Sequence, residues 1–127
     1  VASLREALGE EYLRMTGARY HIEDEVTVVG SASQGLYAAI SALVHPGDEV
    51  IYFEPAFDSY APIVRLQGAT PIPIKLAPPA FRVDWGQVMA ALSARTRMII
   101  VNTPHNPRAT VLGVADLARL PALTRET

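Results

Sequence analysis

Apolar residues recur along the chain with two periods. Over residues 2–16, "ASLREALGEEYLRMT", Leu4, Leu8, Tyr12 and Met15 fall on one face, with Arg5, Glu6, Glu10, Glu11 and Arg14 mainly elsewhere. That spacing predicts a helix, with Gly17 as its stop signal. Short runs rich in β-branched and aliphatic residues predict strands at 26–29 ("VTVV"), 49–53 ("EVIYF") and 97–101 ("RMIIV"). The last of these is continuously apolar, the type buried on both faces of a parallel sheet. Residues 70–76, "TPIPIKL", alternate, but Pro71 and Pro73 restrict them to an edge strand.

Helical patterns fill the intervals. One runs from Gln34 to Val44 and is followed by the turn "HPGD". A second opens in "EPAFDSYAP" with Asp58 or Ser59 as cap, runs to Gln67 and stops at Gly68. A third covers 84–94 behind an Asp84 cap. A fourth begins at 114, where Pro121 kinks or ends it. The order α-β-α-β-α-β-α-β-α predicts an α/β fold, a three-layer α/β/α sandwich around a mostly parallel sheet with no internal boundary.

Composition narrows the chemistry. A chain of 127 residues, half of them hydrophobic, is long enough to build a core. A net charge of −2 advertises neither nucleic acid nor an anionic membrane as partner. The absence of cysteine excludes disulfides, thiolate metal sites and a cysteine nucleophile. No apolar run approaches the roughly 20 residues of a membrane helix. The first residues show no signal-peptide layout. They also lack an initiating methionine and read as the middle of a helix, as in a fragment or a processed product. Lys75 is the only lysine, so chemistry that requires a lysine nucleophile must use it or be absent.

Ligands of parallel sheets bind beyond the C-terminal strand ends, which singles out three loops. "GSASQG" (30–35) offers small residues and successive amides at a helix N-terminus, suited to an anion, with Ser31 and Ser33 as hydroxyl donors; tight helix–sheet packing explains the same residues. It lacks the Gly-Lys-Ser/Thr ending of a triphosphate loop and the three-glycine dinucleotide spacing. "EPAFDSY" (54–60) places Phe57 just past a strand end, as a flat apolar face for a ring or as a core residue beside Tyr60. "VNTPHNPRAT" (101–110) holds Asn102 and Asn106 between prolines. Such amides either donate to a phenolate or carboxylate oxygen or satisfy turn backbone groups. His105 reads as a spacer or supporting group. Ser33 as a hydrolase nucleophile is disfavoured, because the Gly-x-Ser-x-Gly elbow is missing. Together the loops suit an aromatic ligand that carries a phosphate and a ring oxygen.

The stretches "VTVVGSASQGLYAAISALVHPGDEVIYFEPAFDSYAP", "FRVDW" and "NTPHNP" resemble the pyridoxal-phosphate-dependent aminotransferases of fold type I, class I and II, nearest the methionine and kynurenine (glutamine) branch. The resemblance covers essentially the whole chain. It implies part of the large, cofactor-binding domain over 1–127, with Ala32, Ser33 and Gln34 at the cofactor phosphate, Phe57 stacked on the pyridine ring, Asn106 on the ring oxygen and Asn102 as its companion. It further implies amino acid and 2-oxo acid substrates, a cytoplasmic homodimer, no nucleic acid, no membrane and no metal. The family's ring-nitrogen aspartate, its Schiff-base lysine and its carboxylate-binding arginine match no residue here, and Lys75 does not match that lysine. The chain alone is therefore expected to be inactive. The alternative is a non-catalytic remnant or binding module of the same fold. Arg108 stands where the family usually has a small residue.

Overall fold

The computed structural model describes residues 1–123. Its contacts divide the chain into two compact units, Val1–Gly35 and the part from Leu36 onward. The boundary within the first turn of a helix departs from the expectation of an undivided sandwich.

In the first unit, helix α1 (Ala2–Thr16) ends as the sequence predicts. Gly17 adopts φ 73°, a left-handed conformation that suits glycine, and its N–H donates to the Leu13 carbonyl at 2.9 Å. The helix buries none of its residues fully, and Leu4, Leu8, Tyr12 and Met15 are exposed. Tyr12 meets Tyr20 edge to face, with ring centroids 5.6 Å apart. Residues 26–29 are not a strand. They join no ladder, and Val28 and Val29 are exposed. β-Branched residues favour extended backbone, but a strand exists only where a partner supplies the hydrogen bonds.

The second unit is built on three parallel strands, β1 (Glu49–Glu54), β2 (Thr70–Lys75) and β3 (Thr96–Ile100), in the order β2-β1-β3. Strand β2 lies at an edge, as its two prolines require. Alternation along β1 separates two cores. Ile51 and Phe53 face Ile74, Leu76, helix α4 (Trp85–Ala91) through Trp85 and Val88, and Leu123. Val50 faces the other way, toward Ile40 and Val44 of the segment beginning with helix α2 (Ala32–Leu43), and Ile63 and Val64 of helix α3 (Tyr60–Leu66). This is the three-layer α/β/α arrangement with a parallel sheet.

Three local expectations need correction. Strand β3 is only half-buried, with Arg97 exposed, because it forms the other edge of this sheet instead of an interior strand. Ser59 occupies the cap position of α3, but its side chain makes no capping bond. Helix α2 starts at Ala32, two residues before the predicted start. The Asp84 cap is as expected: its Oδ1 accepts from the N–H groups of Gly86 and Gln87 at 2.9 and 3.3 Å. The last helical pattern divides into α5 (Val114–Leu117) and α6 (Leu120–Leu123), with Pro121 in the second piece. Trp85 Nε1 donates to Asp116 Oδ1 at 2.8 Å, tying α4 to α5.

One buried charge closes the start of β1. Glu49 accepts from Ser93 Oγ at 2.6 Å and from Arg95 Nε at 2.9 Å. The Ser93 hydroxyl first, and the Arg95 guanidinium next, hold its carboxyl below the usual glutamate value. A carboxyl depressed in the folded state stabilises fully above its unfolded pKa and loses that contribution as pH falls through the folded value. Urea midpoints of the chain are therefore expected to decline on acidification below about pH 4.5. Glu49→Gln should be less stable at neutral pH and lack that part of the decline.

Candidate cofactor site

Because all three strands are parallel, their C-terminal ends emerge at one edge of the sheet. The register pairs Glu54 with Lys75 and Tyr52 with Ile100. Carried on by two residues, it brings Asn102 level with Glu54. The loops that follow β1 and β3 thus leave the sheet side by side.

After β1 the chain turns at Pro55 and presents Phe57, half-buried. Its ring lies edge-on to Tyr60 at 5.9 Å, and Tyr60 in turn meets Tyr52 at 6.4 Å. The Phe57–Tyr60 contact is T-shaped, with the ring planes at 74°, and Phe57 keeps part of its surface open. Tyr60 is a core residue, buried to 7% exposure; Phe57 is not. Tyr52 donates to Glu54 Oε1 at 2.9 Å. Burial first, and the Glu54 carboxylate beyond that, push the Tyr52 phenol above the usual tyrosine value, so it remains a protonated donor. A hollow of about 450 Å³ opens here, walled by Tyr52, Glu54, Phe57, Asp58 and Lys75 among others. Lys75, which the sequence places on a proline-bearing edge strand, shares this wall because the parallel register sets it opposite Glu54.

After β3 the loop is closed by its own backbone. His105 N–H donates to the Thr110 carbonyl at 2.8 Å, and Ala109 N–H to the His105 carbonyl at 2.6 Å. Arg108 stacks over the Phe81 ring, its guanidinium carbon 4.4 Å from the centroid, which explains how this loop accommodates a large residue there. Among the described residues, neither Asn102 nor Asn106 makes a side-chain hydrogen bond. Neither amide therefore bonds the turn backbone, which departs from the reading in which they satisfy it. Asn106 is exposed and Asn102 half-buried. Asn102 lines a second, very small cavity that shares Leu76 with the Phe57 hollow, and Asn106 lines neither.

In the first unit, residues 30–34 make a capped helix start. Ser31 Oγ accepts from the Gln34 N–H at 3.2 Å, and Gln34 Oε1 accepts from the Gly30 N–H at 2.7 Å. Ser31 and Gln34 therefore hold the loop in shape. The N–H groups of Ala32 and Ser33 lie in the first helical turn, where no intrahelical acceptor exists. The Ser33 hydroxyl has no protein partner, and all three of Ala32, Ser33 and Gln34 are exposed. Gly35 packs closely, since a Cβ there would lie 3.3 Å from Val29 Cγ2 and the valine would have to shift by a few tenths of an ångström.

A flat aromatic face, two unengaged amides and a capped helix start with an idle hydroxyl are the parts that the resemblance assigns to a phosphorylated pyridine. The family model for aminotransferase class I and II matches residues 1–127, and the chain belongs to that family, whose members use pyridoxal phosphate. It is 50% identical over 120 residues to the methionine aminotransferase of Escherichia coli, covering 94% of this chain and 31% of that protein. It is 39% identical over 121 residues to a probable N-succinyldiaminopimelate aminotransferase of Mycobacterium tuberculosis, covering 94% and 30%. Among solved structures, one from Escherichia coli described as having a methionine aminotransferase function superposes with a TM-score of 0.96 at 48% identity, over 99% of this chain and 33% of that one. The chain thus spans about a third of the length of the relatives it matches.

Proposed function

We propose that the whole protein is a pyridoxal-phosphate-dependent aminotransferase that moves an amino group from an amino acid, of the methionine or aromatic class, to a 2-oxo acid. We further propose that these 127 residues are its cofactor-holding segment. The observation that carries the reading is the pair of unengaged amides, Asn102 and Asn106, on the strand-end edge that also presents Phe57. The cofactor, when bound, would supply an aldehyde carbon to take up the migrating amino group and an electron-withdrawing ring to take up the electrons released. Asn106 donates to the ring oxygen and keeps it ionised, with Asn102 beside it. Phe57 supplies the apolar face against the ring. The N–H groups of Ala32 and Ser33 and the Ser33 hydroxyl receive the phosphate at the positive end of a helix, in a loop that Gln34 braces. Lys75 does not carry the cofactor-linking role. The methionine preference is supported by the relative at 50% identity. A cytoplasmic homodimer is part of the same reading, and no helix among the described residues is long and apolar enough to cross a membrane.

Purified chain mixed with pyridoxal phosphate, methionine and a 2-oxo acid is expected to bind cofactor without sustained turnover. Turnover that Lys75→Arg abolishes would refute the assignment of Lys75. Ser33→Asp places a carboxylate where the phosphate is received. It is expected to weaken pyridoxal phosphate binding tenfold or more while leaving unphosphorylated pyridoxal unaffected, as read by absorbance titration. The aspartate suits a helix N-terminus, so the fold should not suffer.

A further inference from the structure

The cavity beside Asn102 is about 20 Å³, room for one water and no more. Its walls are mostly apolar, Phe53 and Leu76 among them, but three polar residues reach it: Asn102, His105 and Thr110. His105 Nδ1 is buried and has no hydrogen-bond partner in the protein. Buried polar atoms without a partner are rare, and a site with the volume of a single water and about two to four polar groups around it is where an internal water is held. We infer that one buried water bridges His105 Nδ1 to the Asn102 side chain and to Thr110, which makes His105 a positioning residue for the Asn102 amide.

The backbone of His105 is already fixed, through the bonds its N–H and carbonyl make to Thr110 and Ala109. Its ring lines the cavity with Nδ1 buried, and the water links that nitrogen to Asn102, whose side chain makes no bond to the protein. The histidine between the two asparagines would then be the anchor of the polar loop. Its value for the cofactor rests on the proposed function; the water itself does not.

The test uses the 127-residue chain without cofactor. A high-resolution crystal structure is expected to show one ordered water within about 3.2 Å of His105 Nδ1, bonded also to Asn102 or Thr110. A dry cavity, or a protein group bonded to Nδ1, overturns the inference. In solution, the Asn102 side-chain amide protons should show cross-peaks to a long-lived water. His105→Asn, whose amide falls near the position of Nδ1, should keep those cross-peaks, and His105→Phe should lose them. Cross-peaks that persist unchanged in His105→Phe would equally overturn it. If the phenylalanine variant does not fold, the crystal structure of the parent decides. Loss of cofactor binding with the water in place would count against the proposed function alone.

Discussion

Ile51→Ala is expected to lower the stability of the chain by about 2–5 kcal/mol. Ile51 is fully buried in the central strand, paired with Ile72 on one side and Ile99 on the other. It packs in one cluster with Phe53, Ile74, Trp85 and Val88, drawn from two strands and a helix. Truncation removes the transfer free energy of the lost methylenes and leaves a cavity that a hydrogen-bonded strand cannot move to fill. Since a whole domain is stable by only about 5–15 kcal/mol, this one change consumes a large share of the total. Leu66→Ala, on a side chain that is 73% exposed, should stay within about 0.5 kcal/mol. Urea denaturation of both variants checks the contrast. A loss below about 1 kcal/mol at Ile51 would mean that the two-sided core is not the source of stability.

Phe57→Ala is expected to weaken pyridoxal phosphate binding about tenfold or more, the equivalent of about 1.4 kcal/mol. Phe57 is half-buried, in T-shaped contact with Tyr60, and leaves ring surface that a planar ring can cover. Tyr60 is buried on its own account and should remain in place when Phe57 is shortened. The effect on folding should therefore be smaller than at Ile51. Phe57→Tyr, which keeps the ring, should retain most of the affinity. Titration of the three proteins separates loss of a stacking face from loss of the fold. Equal affinity for the alanine variant and its parent would remove Phe57 from the site.

The parts of the fold that follow from local chemistry were legible in the sequence. The α1 stop at Gly17, the Asp84 cap, the edge position of β2 and the break around Pro121 each depend on one or two residues and their immediate neighbours. Features that depend on a partner were not. Residues 26–29 have the composition of a strand and no strand to pair with. The apolar run of β3 predicts burial on both faces, but exposure is decided by what lies beyond the edge. The division at Gly35 has no glycine- or proline-rich linker to announce it. At the candidate site, the loops were found because strand ends and prolines mark them. Whether Asn102 and Asn106 bond the turn backbone depends on the folded loop, where the N–H groups of His105 and Ala109 find backbone carbonyls and the two amides bond none of it. Lys75 reaches the Phe57 hollow through a pairing register that no local pattern records.

The assignment of one phosphorylated pyridine to three segments is tested most directly by following backbone and side-chain amide resonances of the labelled chain during titration with pyridoxal phosphate. The signals of Ser33, Phe57 and the Asn106 side chain are expected to move together, saturating with one common dissociation constant. Shifts confined to the neighbourhood of Lys75 and the N-terminal amine, or three segments that respond with unrelated constants, would contradict the account.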